Sequence, residues 1–314
     1  MEALKTNKEI IEEVKEILKG MMPDYELRSQ QITKNNDEKL DAVAFLKEGS
    51  VIGPTIYTDN WILDYRDGMS PEQIAVQARK AVEDAMLRAQ DITINFDRDY
   101  ILKNAFGMVM CMDSNIEYLK DAVCEPVDGT DLMMVVRVRA GEDASFVLKR
   151  DATVTFGLTY EEAVEAAYRN MEKEEAVIKP VQSIIAEMMG VSEREINDMV
   201  PSSEVDMIVI TNERKFYGAG EIFLKNEVRD ELFNRIGEYY ILPSSLHETI
   251  VIPKTYCEDY HMLESMLREI NRQEILPKDR LSDTVYRYDG RRLTLASAPE
   301  MEIATQAARV TMHM

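Results

Sequence analysis

The sequence predicts an α+β protein in which helices cover mixed sheets, and two observations carry this prediction. In the stretch 205–253, short apolar runs alternate with turn signals in the order strand, turn, strand, helix, strand, turn, strand. A strand, strand, helix order is also predicted at 131–171, and the stretch 205–236 repeats it. We therefore expect two related strand-strand-helix halves.

The elements of the stretch 205–253 are set by its β-branched runs, its turn residues and one helical spacing of apolar residues. A first strand closes at the turn Thr211-Asn212-Glu213, and a second strand is expected to pair back on it. A helix then begins at Asn226 and ends at Gly237. The strands predicted here are 205–210, 216–222, 239–242 and 249–252, the last two joined by 243–248.

Helix-start signals and apolar periodicity predict the rest of the chain. The clearest start is Ser70, with Pro71 after it and Gln73 closing a capping box; Thr159 with Glu162 and Ser192 with Glu195 repeat this logic. Helices are predicted at 7–18, 71–88, 115–123, 160–171 and 260–274, with another ending at 107. Strands are predicted at 42–46, 51–57, 131–138 and 144–148, with a short apolar piece at 108–112 and an edge strand within 281–288.

The length of 314 residues favours two regions, 1–176 and 177–295, with a single large α/β domain as the alternative. The stretch 296–314 has little periodicity and is expected to be a loosely structured tail. The boundary, near 176–180, lacks the Gly/Ser/Pro run of a flexible tether. We therefore expect the two regions to share one continuous core.

Composition and charge exclude several classes of protein. With 45% hydrophobic and 30% charged residues, we expect a real core and no large disordered region. The net charge of −21 argues against direct binding to nucleic acid, which needs a basic groove. No run reaches the ~18 apolar residues of a membrane span, and the chain opens on a charged amphipathic helix, so we expect a cytoplasmic protein. The three widely spaced cysteines indicate no disulfide framework.

Several blocks of the sequence resemble a family of unknown function found in gut Clostridia. These blocks are PTIYTDNWILDYRDGMSPEQI at 54–74, DLMMVVRV at 131–138, VITNERKFYGAGEI at 209–222, YILPSSLHETIVIP at 240–253 and LSDTVYRYD at 281–289. The ILPSS-L-HE segment is the most specific of them. The resemblance implies a cytoplasmic single-chain protein, and it supplies no activity, cofactor or catalytic residue.

His247 is the candidate for catalysis because it lies in a predicted turn beside Ser244, Ser245 and Glu248. The alternative is structural, since Pro-Ser-Ser makes a tight turn whose hydroxyls satisfy the loop backbone. His247 and Glu248 are neighbours in sequence, so on a strand they would point to opposite faces. Asn212 and Glu213, in the turn after the first strand, are the candidate binding residues.

No cofactor or metal is expected. The Gly-Ala-Gly at 218–220 lacks the third glycine of a dinucleotide fingerprint and the Gly-Lys-Ser/Thr ending of a phosphate loop. The three histidines, at 247, 261 and 313, are too scattered for a histidine-rich metal site.

The leading hypothesis is a non-enzymatic protein that binds another macromolecule, expected to be a protein, because no catalytic motif is present in a well-patterned chain. One alternative is an acidic protein that mimics nucleic acid and inhibits a nucleic-acid-binding protein. A second alternative is a hydrolase that uses Ser245 and His247.

Overall fold

The structure, a computed structural model, describes residues 5–47, 53–90, 96–141, 144–192, 194–195, 207–257 and 259–299, without the side chains of 88–90 and 188. It confirms the α+β class. The described residues form two compact units. The first takes its residues from Met1–Glu125, Met133–Glu174 and Leu276–Arg280, and the second from Pro126–Leu132, Glu175–Ile275 and Leu281–Met314.

The elements follow one another along the chain as helices and short strands. The helices are α1 (Asn7–Met21), α2 (Asp59–Arg66), α3 (Pro71–Gln90), α4 (Arg98–Asn104), α5 (Ile116–Leu119), α6 (Arg150–Thr155), α7 (Tyr160–Met171), α8 (Val181–Met189), α9 (Gly220–Leu224), α10 (Asn226–Ile236) and α11 (Tyr260–Gln273). The strands are β1 (Tyr25–Thr33), β2 (Lys39–Lys47), β3 (Thr55–Tyr57), β4 (Ala105–Cys111), β5 (Cys124–Pro126), β6 (Leu132–Arg139), β7 (Ser145–Val147), β8 (Ala176–Pro180), β9 (Ile208–Asn212), β10 (Tyr239–Leu242), β11 (Thr249–Pro253), β12 (Tyr286–Tyr288) and β13 (Leu293–Leu295).

The first unit contains two small sheets. One has the order β1-β2-β3 with antiparallel pairing, and helices α1, α2 and α3 bury their apolar faces with it around Phe45 and Trp61. The other has the order β4-β6-β5, with β7 paired to β6 and α7 packed against β4. The predicted capping boxes start α3 and α7, where Ser70 and Thr159 each accept a backbone N–H three residues on.

The second unit is built on a six-stranded sheet with the order β13-β12-β10-β11-β9-β8, in which every neighbouring pair is antiparallel. The predicted strands at 239–242 and 249–252 are β10 and β11, and the predicted helix from Asn226 is α10, ended by Gly237 at φ 74°. The helix α11 packs on β10 through Leu263 and Leu267. The predicted edge strand is β12, which is shorter than expected and lies inside the sheet beside β13.

The prediction of a strand at 216–222 is wrong. This segment is a turn followed by α9, because β9 already pairs with β11 on one side and with β8 on the other, which leaves no edge for it. Lys215 and Tyr217 have positive φ angles of 51° and 57°, which turn the chain out of the extended conformation. The strand-strand-helix order of 131–171 is therefore not repeated at 205–236.

Three other segments differ from the sequence prediction. The predicted helix ending at 107 stops at Asn104, and the next seven residues form β4, whose continuous apolar run is buried on both faces and gives no period to separate strand from helix. The strand β1 was not predicted, because most of its side chains are exposed and polar. The predicted helix at 115–123 is the single turn α5. Of the tail predicted at 296–314, residues 300–314 lie outside the described residues, and Ala296 is buried in a core cluster with Leu263 and Leu267.

Candidate functional site

The structure brings together two loops of the second unit that carry the predicted site residues. One loop, 212–218, follows β9, and the other, 243–248, joins β10 to β11. We call the group formed by Thr211, Asn212, Phe216, Tyr217 and His247 the aromatic corner.

Asn212 holds the first loop in shape. Its side-chain Nδ2 donates to the Phe216 carbonyl at 3.0 Å, and its Oδ1 accepts the Phe216 N–H at 3.2 Å. The Asn212 carbonyl accepts the Lys215 N–H at 3.0 Å. The buried side chain thus closes a tight loop around the residues with positive φ, and strained backbone of this kind persists only where its surroundings fix it. Glu213, the other predicted binding residue, is exposed at the tip.

His247 joins the second loop to the first. Its Nδ1 accepts the Tyr217 N–H at 3.2 Å, which in the neutral imidazole places the proton on Nε2. Its ring stacks on Phe216 with 5.0 Å between centroids and 22° between planes. Thr211 Oγ1 donates to the His247 carbonyl at 2.7 Å. Backbone and ring contacts together fix the orientation of this imidazole.

Gly218 allows the two loops to lie this close. A Cβ at this position would stand 2.4 Å from Thr211 Oγ1, 2.5 Å from the His247 carbonyl oxygen and 2.8 Å from the Asn212 nitrogen. Two of these three atoms are backbone, so neither can move aside cheaply. The glycine therefore permits a close backbone approach, which is the use expected of a glycine beside a strand.

The two serines serve the loop backbone. Ser244 and Ser245 are only 5% and 6% exposed, and Ser245 Oγ accepts the backbone N–H of His247 at 3.0 Å. The hydrogen bond between these residues is thus donated by the main chain of His247, while the ring nitrogen Nδ1 accepts from Tyr217. Glu248 is exposed at the end of the loop. This geometry supports the structural interpretation of the Pro-Ser-Ser turn.

A buried polar group that the sequence patterns did not indicate joins α9 to α10, and it contains Glu221, Lys225 and Arg229. Glu221 and Lys225 form an ion pair at 2.5 Å with their side chains 1% and 9% exposed. The Arg229 guanidinium donates to two carbonyls of α9, those of Ile222 and Phe223, at 2.7 and 2.8 Å. These contacts cap the last turn of α9 and fix it to α10.

Two tyrosines of the sheet, Tyr239 and Tyr288, form hydrogen bonds to α10. The Tyr239 hydroxyl donates to the Arg229 carbonyl at 3.1 Å, and burial raises the pKa of Tyr239. Burial and a hydrogen bond donated to Asp230 raise the pKa of Tyr288 to about 12. Both hydroxyls are therefore neutral donors near pH 7, and they hold the start of α10 against the sheet.

Phe216 and Tyr217 were missed as site residues because they were assigned to a strand. The signal that could have found them is Asn212 four residues ahead of Phe216 and Gly218 just after it, a spacing that suits a side-chain-bracketed loop.

The described residues contain no cluster of metal-ligating side chains and no helix suited to a membrane. Nowhere in them do three or more His, Cys, Asp or Glu side chains gather as metal ligands would. None of their helices combines the length and the apolar character needed to cross a bilayer.

Comparison with known proteins gives one match. No curated protein and no solved structure matches this chain. A family model does match, over residues 7–290, which includes both loops of the aromatic corner and nearly all the described elements. The chain therefore belongs to this family, which is described as a family of unknown function, DUF5688.

Proposed function

We propose that the chain is a non-enzymatic macromolecule-binding protein, that its partner is a protein, and that the aromatic corner makes the contact. The observation that carries this proposal is the Phe216 ring, which is 45% exposed and stacks on His247 at the tip of a loop that Asn212 holds in place. Aromatic side chains, phenylalanine among them, are enriched in protein interfaces relative to the rest of the surface.

The rigidity of the corner favours binding. Phe216 and His247 are fixed by stacking and by backbone hydrogen bonds before any partner arrives, so little side-chain entropy is lost on association. The loop also carries the exposed charges of Glu213, Arg214 and Lys215, which suit the polar rim that surrounds an apolar contact. Free thiols at Cys111, Cys124 and Cys257 are typical of a reducing compartment, so we place this binding in the cytoplasm.

The two alternatives have less support. A hydrolase would need Ser245 Oγ to donate to a ring nitrogen of His247, whereas Nδ1 accepts from the Tyr217 N–H and Ser245 Oγ accepts from the His247 backbone N–H. A nucleic-acid mimic would need an unbroken row of carboxylates, and along α1 the acidic Glu12, Glu13 and Glu16 each pair with a lysine. Neither arrangement favours these functions over a protein contact.

Site-directed photocrosslinking tests the proposal. A photoreactive amino acid at position 216 is expected to crosslink one protein from the native host, whereas the same amino acid at position 256 is not. Tyr256 is the matched control because it is also 45% exposed, lies in the same unit and is outside the aromatic corner.

The affinity of alanine variants for the crosslinked protein is the second measurement. Phe216→Ala is expected to weaken binding by about 2 kcal/mol, or about 30-fold, while Tyr256→Ala leaves it unchanged. Equal crosslinking at both positions, or equal affinity of the two variants, contradicts the proposal. Turnover of a carboxylic or phosphate ester that is lost in Ser245→Ala or His247→Ala would favour the hydrolase.

A further inference from the structure

A cavity of about 490 Å³ in the first unit concentrates positive charge. It lies among α4, the end of β6 and the end of α7, and four cationic side chains line it: Lys103, Arg139, Arg169 and Lys173. Two acidic side chains, Asp99 and Glu174, share the lining, so the cavity carries four positive and two negative groups, a formal balance of +2. We call this the cation cavity.

The cation cavity has a net positive charge, although the protein as a whole has a net negative charge. The chain as a whole has 58 acidic and 37 basic residues, which gives the net charge of −21. Bringing four cations to one concave site costs Coulomb repulsion, which the two acidic side chains of the lining offset only in part. A concave site with excess positive charge instead focuses the field on anions that enter it.

Asn170, one of the residues that line the cation cavity, is fixed by hydrogen bonds. The buried Asn170 side chain donates to the Leu102 and Ala105 carbonyls at 2.8 and 2.9 Å, and its Oδ1 accepts from Lys173 Nζ at 3.3 Å. One of the cations is therefore anchored to the helix α7 by a side chain that is itself fixed to the end of α4 and the start of β4.

Arg139 is also held in position. Its Nη2 lies 2.5 Å from Glu174 Oε1, and its guanidinium lies 4.4 Å from the centroid of the Phe106 ring. An ion pair and a cation–π contact thus orient the guanidinium at the wall of the cavity. The arginine guanidinium is planar and its N–H donors match the geometry of carboxylate and phosphate oxygens.

We propose that the cation cavity binds a small organic anion through phosphate or carboxylate groups. Its volume is that of a small-molecule site, and its cations supply the charge-assisted hydrogen bonds that such oxyanions accept. The Leu102 side chain in the lining provides an apolar contact for the carbon skeleton of the ligand. This site is independent of the aromatic corner, which lies in the other unit.

Calorimetric titration of the full chain with inorganic pyrophosphate and, separately, with citrate tests the proposal at low ionic strength. Saturable binding of pyrophosphate assigns a phosphate ligand, and saturable binding of citrate assigns a carboxylate ligand. Added salt is expected to weaken either, because the interaction is between charges. If neither anion gives a saturable isotherm, the proposal is wrong.

Charge variants locate the binding. Arg169→Gln and Lys103→Gln are each expected to weaken binding by about tenfold, the loss typical of one charge-assisted hydrogen bond. Lys80→Gln removes an exposed charge of α3 outside the cavity and is the matched control, with no expected change. Asp99→Asn removes a competing negative charge and is expected to tighten binding. Weaker binding in Asp99→Asn, or equal losses in Lys80→Gln and Arg169→Gln, would place the anion elsewhere and overturn the proposal.

Discussion

At the scale of single residues, polar side chains in this protein often satisfy the backbone of their own loops. Asn212 accepts from and donates to the main chain of Phe216, and Ser245 accepts from the main chain of His247. Both residues were candidate site residues in the sequence analysis, and in the structure both hydrogen-bond nearby backbone as asparagine and serine commonly do in turns. Of the aromatic corner, Phe216 is the large apolar side chain that is exposed, at 45%.

Two glycines are expected to respond in opposite directions when changed to alanine. Gly218→Ala places a Cβ within 3 Å of two backbone atoms, so we expect a loss of about 1–3 kcal/mol in the free energy of unfolding. Gly20 lies inside α1 with open space around it, so Gly20→Ala is expected to gain about 0.5–1 kcal/mol. Urea denaturation of both variants measures these changes. A neutral Gly218→Ala would contradict the close approach of the two loops.

At the scale of elements, local signals predicted helix starts and hairpins well. The capping boxes at Ser70 and Thr159 start α3 and α7, and the strands at 239–242 and 249–252 pair as expected. These features depend on residues close in sequence, which a pattern can show. The errors arise where long-range pairing decides: β9 has both edges filled, so 216–222 cannot join it, and β4 is a strand only because it pairs with β6.

Less of the candidate site than of the fold could be predicted, because its contacts also join residues far apart in sequence. The sequence placed His247 in a loop beside two serines, and the structure agrees. The partners of His247 are Phe216 and Tyr217, some 30 residues earlier, and no local spacing links the two loops. The cation cavity was not predicted because its charges come from three separate elements.

The capping box of α7 gives a prediction at the element scale. Thr159 Oγ1 accepts the Glu162 N–H at 3.1 Å, and Glu162 Oε2 accepts the Thr159 N–H at 3.0 Å. Thr159→Ala is expected to lower the free energy of unfolding by about 1 kcal/mol, because an N–H at the helix start loses its partner. Thr159→Ser keeps the hydroxyl and serves as the control in the same thermal or urea unfolding experiment. Equal stability of the alanine and serine variants would show that the cap contributes nothing.

At the scale of the whole molecule, the chain passes between its two units more than once. Residues 126–132 belong with the second unit although they lie in the first half of the chain, and residues 276–280 belong with the first unit. The segment expected to contain a boundary, 176–180, is the strand β8, paired with β9 along its length. The division at 176 remains a prediction, and a cut there would separate residues that belong to the same unit.

Fragments 1–176 and 177–295, expressed separately, are therefore expected not to unfold cooperatively. The first lacks the Pro277 and Arg280 carbonyls that accept from Asn36 and Asn35, and the second lacks Asp131, which accepts from Thr284 at 3.2 Å and from the buried Tyr286 hydroxyl. Each lost partner leaves a polar group unsatisfied, at a cost of about 1–3 kcal/mol where the group is buried. Circular dichroism during thermal unfolding measures the cooperativity, and a chain of residues 5–299, which keeps every described contact, is the control. Cooperative unfolding of both fragments, each as stable as the control, would instead establish two independent domains.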